Sequence, residues 1–160
     1  MDDKSIVTPI IAYCERGAFS DPIKELCRAN LIRLIHFPYD ADDRAWHENN
    51  KSKVSLAKPS LVTCDTTQIY CSDEFLISDM EKSDKYDAIG SILQMDRRKH
   101  DVRHFDSAYK SGARVFLTND KNFRNHRTEL HELTGIEVIL VREADDIERL
   151  KQIISNNQVT

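Results

Sequence analysis

Glycine and proline are scarce, four of each in 160 residues, which argues against a low-complexity chain or a loop-heavy all-β fold. No apolar run approaches the ~18 residues that would span a bilayer, and no N-terminal apolar segment reads as an export signal. A cytoplasmic protein is therefore expected. The four cysteines, Cys14, Cys27, Cys64 and Cys71, form no CxxC pair and are expected to be free thiols, mostly buried. Neither GxxxxGK[ST] nor GxGxxG follows a strand-like run, so the sequence carries no nucleotide-cradle signal. The lack of GxSxG argues against a hydrolase elbow. An aspartyl-phosphate enzyme would carry Asp-x-Asp just after its first strand, and that too is missing.

What is present suits one globular domain over residues 1–160, with 40% apolar and 31% charged residues. The net charge of −4 is unevenly spread. Residues 97–131 hold nine Lys/Arg against four Asp/Glu, a local +5, so the remainder carries −9. A basic segment inside an acidic protein can attract a polyanion, and it can equally be a set of solvated helix faces.

Strand-like and helix-like runs alternate. SIVTPIIAY (Ser5–Tyr13) reads as a strand, and Ser20-Asp21-Pro22 opens a helix through IKELCRANL with Ser20 or Asp21 as N-cap. LIRLIHF (Leu31–Phe37) is a second strand, stopped by Pro38, and YDADDRAWHENN a second helix. NNKSKVSLAKPS reads as a loop or frayed helix, and PSLVTCDTTQIYCSDEF as a strand or an irregular stretch. A helix is expected from Ser83, another over Lys99–Ser111 ended by Gly112, then a strand over Arg114–Thr118. A helix around Arg127–Leu133 stopped by Gly135, a strand over Ile136–Val141 and a helix over Asp145–Ser155 complete the chain. Such alternation predicts an α/β three-layer sandwich around a mainly parallel sheet.

In sheets of that kind, functional groups gather at the carboxyl edge of the strands. Asp120 follows VFLT directly. A helix of this length followed by a turn and a strand can bring Asp101 back beside it, whereas Asp106 lies roughly 140° around the helix from Asp101. Asp120 alone could be a turn residue capping the next helix. Paired with Asp101 it points to a hard cation, Mg²⁺ or Mn²⁺, between two carboxylates.

The stretch DVRHFDSAYKSGARVFLTNDKNF, residues 101–123, resembles the PIN-domain family. Asp101, Ala108, Gly112, Ala113, Thr118, Asp120 and Phe123 stand in the family's spacing, and His104 follows the first acid by three residues as it often does there. IEVILV after Gly135 is similar to the family's last strand. The resemblance implies an α/β nuclease that cuts RNA or single-stranded nucleic acid with Mg²⁺ or Mn²⁺. Toxin members work beside an antitoxin, so a protein partner of that kind, or a homodimer, goes with it. It makes Asp101 and Asp120 metal ligands, with Thr118 and Asn119 orienting them from the turn. Arg103 and Lys121 become the basic contacts to the substrate backbone.

Two family acids are harder to place. The family's first strand ends in Asp-Thr, and Val7 stands at that point of IVTPII; Asp65-Thr66 is a second candidate. The next acid should follow the second strand, where Asp40, Asp42, Asp43 and Glu48 compete, and Asp43 is the choice. Asn122 stands where many members have a further acid. His100 and His104 have zinc-ligand spacing but no third ligand in the sequence pattern. A nuclease that kept its metal and a degenerate RNA-binding or protein-binding module are both open.

Overall fold

The computed structural model describes residues 8–60, 81–94 and 99–158. Five strands form one sheet: β1 (Ile10–Cys14), β2 (Ile32–His36), β3 (Val54–Leu56), β4 (Val115–Thr118) and β5 (Glu137–Leu140). The order is β3-β2-β1-β4-β5 and every pairing is parallel, as the alternation predicts. The central register sets Ala12 against Val115 and Cys14 against Leu117, with Ile10 against Ile32 on the other side.

Strand residues are buried on both faces, as a helix-covered parallel sheet requires. Ala12, Cys14, Leu34, Val115, Leu117 and Ile139 face one layer, closed by Ile23 of helix α1 (Asp21–Arg28). Ile147, Leu150, Ile153 and Ile154 of the C-terminal helix, α7 (Ala144–Gln158), complete that layer. Tyr13, Ile35, Phe116, Val138 and Leu140 alternate with them and face the other layer. There they meet α3 (Tyr86–Leu93), α4 (Lys99–Lys110), α5 (Lys121–Asn125) and α6 (Arg127–Thr134). Its centre is aromatic: Phe116 stacks on Tyr13 at 5.2 Å and packs on Phe105 and Phe123 at 5.1 and 4.7 Å.

Several expectations are corrected. VSL within the polar, lysine-rich 49–60 stretch is the edge strand β3, and Asp120 is followed by the short helix α5. α1 ends at Arg28 because Asn30 takes a left-handed φ of 58°, so Leu31 lies outside the helix. The first strand begins at Ile10, beyond Val7, and the residue just past its carboxyl end is Glu15. Gly112 and Gly135 do end their helices, with φ of 75° and 78° that favour glycine. Val7, Cys64, Asp65, Cys71 and the strand-like run around Asp65 lie outside the described residues. Cys14 and Cys27 are free thiols. Among the described residues no helix is long and apolar enough to cross a membrane.

Candidate functional site

The chain leaves β1 for β2 on one side of the sheet, and β4 lies on the other side of β1. The strand order therefore reverses at β1/β4, and a crevice opens at the carboxyl ends there. It is a cleft of about 550 Å³ lined by Glu15, Arg16, Gly17, His36, Asp40, Asp43, Asp101, His104, Asn119 and Asp120. Each side chain arrives by a short route. Glu15 follows β1, His36 ends β2, and Asn119 and Asp120 follow β4. Helix α2 (Ala41–Asn49) brings Asp40 and Asp43 in its cap and first turn, and α4 brings Asp101 and His104. Helix N-termini pointing into a cleft favour carboxylates there.

The caps are made by the acids themselves. Asp43 N–H donates to Asp40 Oδ1 at 2.7 Å, and Asn122 N–H donates to Asp120 Oδ1 at 2.8 Å. Thr118 is fully buried; its hydroxyl donates to Glu15 Oε1 and accepts from Asp120 N–H. Asn119 Nδ2 donates to Gly17 O at 2.6 Å, tying the ends of β1 and β4 together. Burial pushes the Glu15 carboxyl up to about 7; His104 and the Thr118 hydrogen bond oppose this, while Asp101 and Asp120 add to it.

Beside this acidic half lies a second cluster. One ligand atom each from His36, Asp43 and His104 lie within 4.8 Å of one another, and all three residues are buried. His104 Nε2 is 3.2 Å and His36 Nε2 3.8 Å from Asp43 Oδ2, while Arg16 Nε reaches Asp43 Oδ1 at 3.3 Å. Burial acts to raise the Asp43 carboxyl, but the His104 hydrogen bond, with the charges of His104, His36 and Arg16, holds it below its ordinary value. Burial, reinforced by His104, drives His36 down to about 3, so its ring is neutral at pH 7. These residues could hold a metal ion.

The sequence-predicted residues divide. Asp43, Asp101, Asp120 and Asn119 line one cleft. Thr118, expected to orient the metal ligands from the turn, is fully buried beneath the cleft, where its hydroxyl bonds Glu15 and the Asp120 N–H. Arg103 and Lys121 are not among the lining residues: Arg103 lies over the Tyr39 ring at 5.5 Å, and Lys121 is exposed in the first turn of α5. Asp106 is fully buried away from the cleft, where Ser60 and Ser83 bind it. Glu15 and His36 were missed, although both stand at strand ends where the carboxyl-edge rule looks. Part of the basic segment is spent on its own surface, Arg124 on Glu143 and Arg127 on Asp146. Compared with protein-family models, curated proteins and solved structures, the chain matches none.

Proposed function

We propose that the chain is a metal-dependent phosphodiesterase that cuts RNA or single-stranded nucleic acid, a PIN-like endoribonuclease. One observation carries the reading: Glu15, Asp43, Asp101 and Asp120 converge from four elements on one cleft at the sheet's switch point. Such a concentration of carboxylates repels a phosphodiester and itself, and a divalent cation relieves both. Asp43, Asp101 and Asp120, with Glu15, are the residues to hold it, and oxygen ligands suit Mg²⁺ or Mn²⁺. When bound there, the cation supplies a lowered pKa for water and neutralises charge on the scissile phosphate.

The chain's own groups do the positioning. Thr118 fixes one Glu15 oxygen, and the Asn119–Gly17 bond keeps the β1 and β4 ends at constant separation. Arg16, half exposed on the cleft wall and anchored on Asp43, is the guanidinium for a phosphate oxygen. Lys121, exposed one residue after Asp120, suits a flanking phosphate. Val7, at the position of the family's first acid, favours the degenerate-module alternative. Glu15, just past β1 and lining the cleft, brings a carboxylate from that strand and supports the hydrolase.

The test is cleavage of end-labelled single-stranded RNA and DNA with Mg²⁺ or Mn²⁺, comparing the wild type with Asp101→Asn/Asp120→Asn. Cleavage that needs the cation and disappears in the double variant is expected. Intact substrates under every cation condition would refute the proposal and return the module reading.

A further inference from the structure

We propose that His36, Asp43 and His104 form an imidazole-bearing site for a first-row transition-metal ion of the zinc type, which shares Asp43 with the carboxylate half of the cleft. The inference deepens the cation reading above and does not depend on phosphodiester hydrolysis.

His36 decides the chemistry. Its Nδ1 lies 2.9 Å from the Cys14 carbonyl oxygen, which can only accept, so Nδ1 carries the proton. The lone pair of the neutral ring then sits on Nε2. Among the described residues that buried atom has no hydrogen-bond partner, and its side chain has no exposed surface. Its nearest ionic neighbour is Asp43 Oδ2 at 3.8 Å, beyond hydrogen-bond reach and itself an acceptor. Two buried acceptors facing each other cost free energy unless something cationic lies between them.

His104 completes the set. Its Nε2 approaches the same Asp43 oxygen at 3.2 Å, and its Nδ1 is 2.5 Å from the Tyr13 hydroxyl. Tyr13 Oη also accepts Phe37 N–H at 3.1 Å and reaches the Phe37 carbonyl at 3.5 Å. That hydroxyl can either donate to Nδ1 or accept from it while turning its own proton to Phe37 O. The second arrangement frees Nε2 as a ligand, with no net change in protons. Both imidazoles thus have the outer partner that metal-bound histidines use, a backbone carbonyl for one and a hydroxyl for the other.

Size agrees with a small ion. Ligands about 2.0–2.1 Å from a tetrahedral centre lie roughly 3.3 Å apart, so donor atoms spread over 3.2 to 4.8 Å need only a modest inward shift. Two imidazoles and one carboxylate suit zinc and its neighbours, whereas Mg²⁺ prefers oxygen and its own waters. The cleft leaves the outer side of the cluster open for a further ligand.

The experiment titrates Zn²⁺ into the full chain labelled with ¹⁵N-histidine, as wild type, Asp101→Asn/Asp120→Asn and Asp43→Asn. One equivalent of Zn²⁺ is expected to move the Nε2 resonances of His36 and His104 together and leave their Nδ1 protonated. The Asp101→Asn/Asp120→Asn protein should respond the same way, and millimolar Mg²⁺ should not reverse it. Asp43→Asn should bind Zn²⁺ at least tenfold more weakly. Nε2 resonances that stay put in the wild type under excess Zn²⁺ would overturn the proposal, as would wild-type affinity in a folded Asp43→Asn. If Asp43→Asn does not fold, the wild-type resonances decide alone. RNA cleavage plays no part in this readout, so the zinc site and the nuclease proposal fail separately.

Discussion

Replacing Glu15 by Gln should stabilise the protein at alkaline pH and leave it unchanged in acid. The native carboxyl titrates at about 7 against 4.5 when free, so the folded state holds its proton where the unfolded state has released it. The wild type therefore keeps its full stability below pH 4.5, loses it progressively up to about 7, and stays at the lower level beyond. A shift of that size corresponds to about 3 kcal/mol. Water in the open cleft screens part of it, so the measured gain at pH 8 should be about 1–3 kcal/mol. Glutamine retains an oxygen to accept the Thr118 hydroxyl and places an amide among the acceptors of Asp101 and Asp120. The assay is urea unfolding of both proteins at pH 4 and pH 8 without divalent cations, followed by the fluorescence of Trp46. At pH 8, Mn²⁺ should then stabilise the wild type more than the variant, because cation binding to the native state removes the same repulsion. An advantage for Glu15→Gln that is equal at pH 4 and pH 8, or a loss at pH 8, would refute the account of how the cleft is charged.

Other perturbations follow from the same contacts. Asp106→Ala strips a buried acceptor from the Ser60 hydroxyl and from the Ser83 N–H and hydroxyl, and should cost about 3 kcal/mol in urea unfolding. Tyr13→Phe leaves Phe37 N–H and His104 Nδ1 without the hydroxyl; it should lower stability by about 1–3 kcal/mol and Zn²⁺ affinity by about 10–100-fold in calorimetry. His36, held neutral with its native value near 3, should cost stability as pH falls below 6.5, because the unfolded ring takes up a proton that the folded one refuses. The loss should reach about 2 kcal/mol at pH 5 in denaturant titrations and be smaller in His36→Gln. Gly135→Ala forces a side chain into a left-handed φ of 78° and should cost about 1 kcal/mol by thermal unfolding without altering cation binding.

How much of this was legible in the sequence depended on the length of each pattern. The α4–β4 unit was readable because twelve helical residues, Gly112 and the VFLT run each give an unambiguous local signal. β3 was not, because three residues in a lysine-rich stretch are too few to show a period of two, and the pairing with β2 that orders them is long-range. α5 was too short to show a helical period. The site was half legible. Asp101 and Asp120 stand out by spacing around a long helix and a strand. Glu15 is hidden because the apolar run from Ser5 extends the strand pattern toward the N-terminus and puts the expected acid at Val7, whereas the strand spans Ile10–Cys14 and Glu15 follows it. His36 was hidden because it closes an apolar run and reads there as a strand residue. Asking what stands at or just past the carboxyl end of each strand would have found both, since that is where a parallel sheet opens.

The most direct measurement is calorimetric titration of Mn²⁺ into the wild type and into Asp101→Asn/Asp120→Asn. Binding to the wild type that is weakened at least tenfold or abolished in the variant is predicted. No binding at millimolar Mn²⁺, or the same isotherm for both proteins, would show that the carboxylates of the cleft do not hold a cation. Asp120 would then be simply the cap of the helix that follows β4.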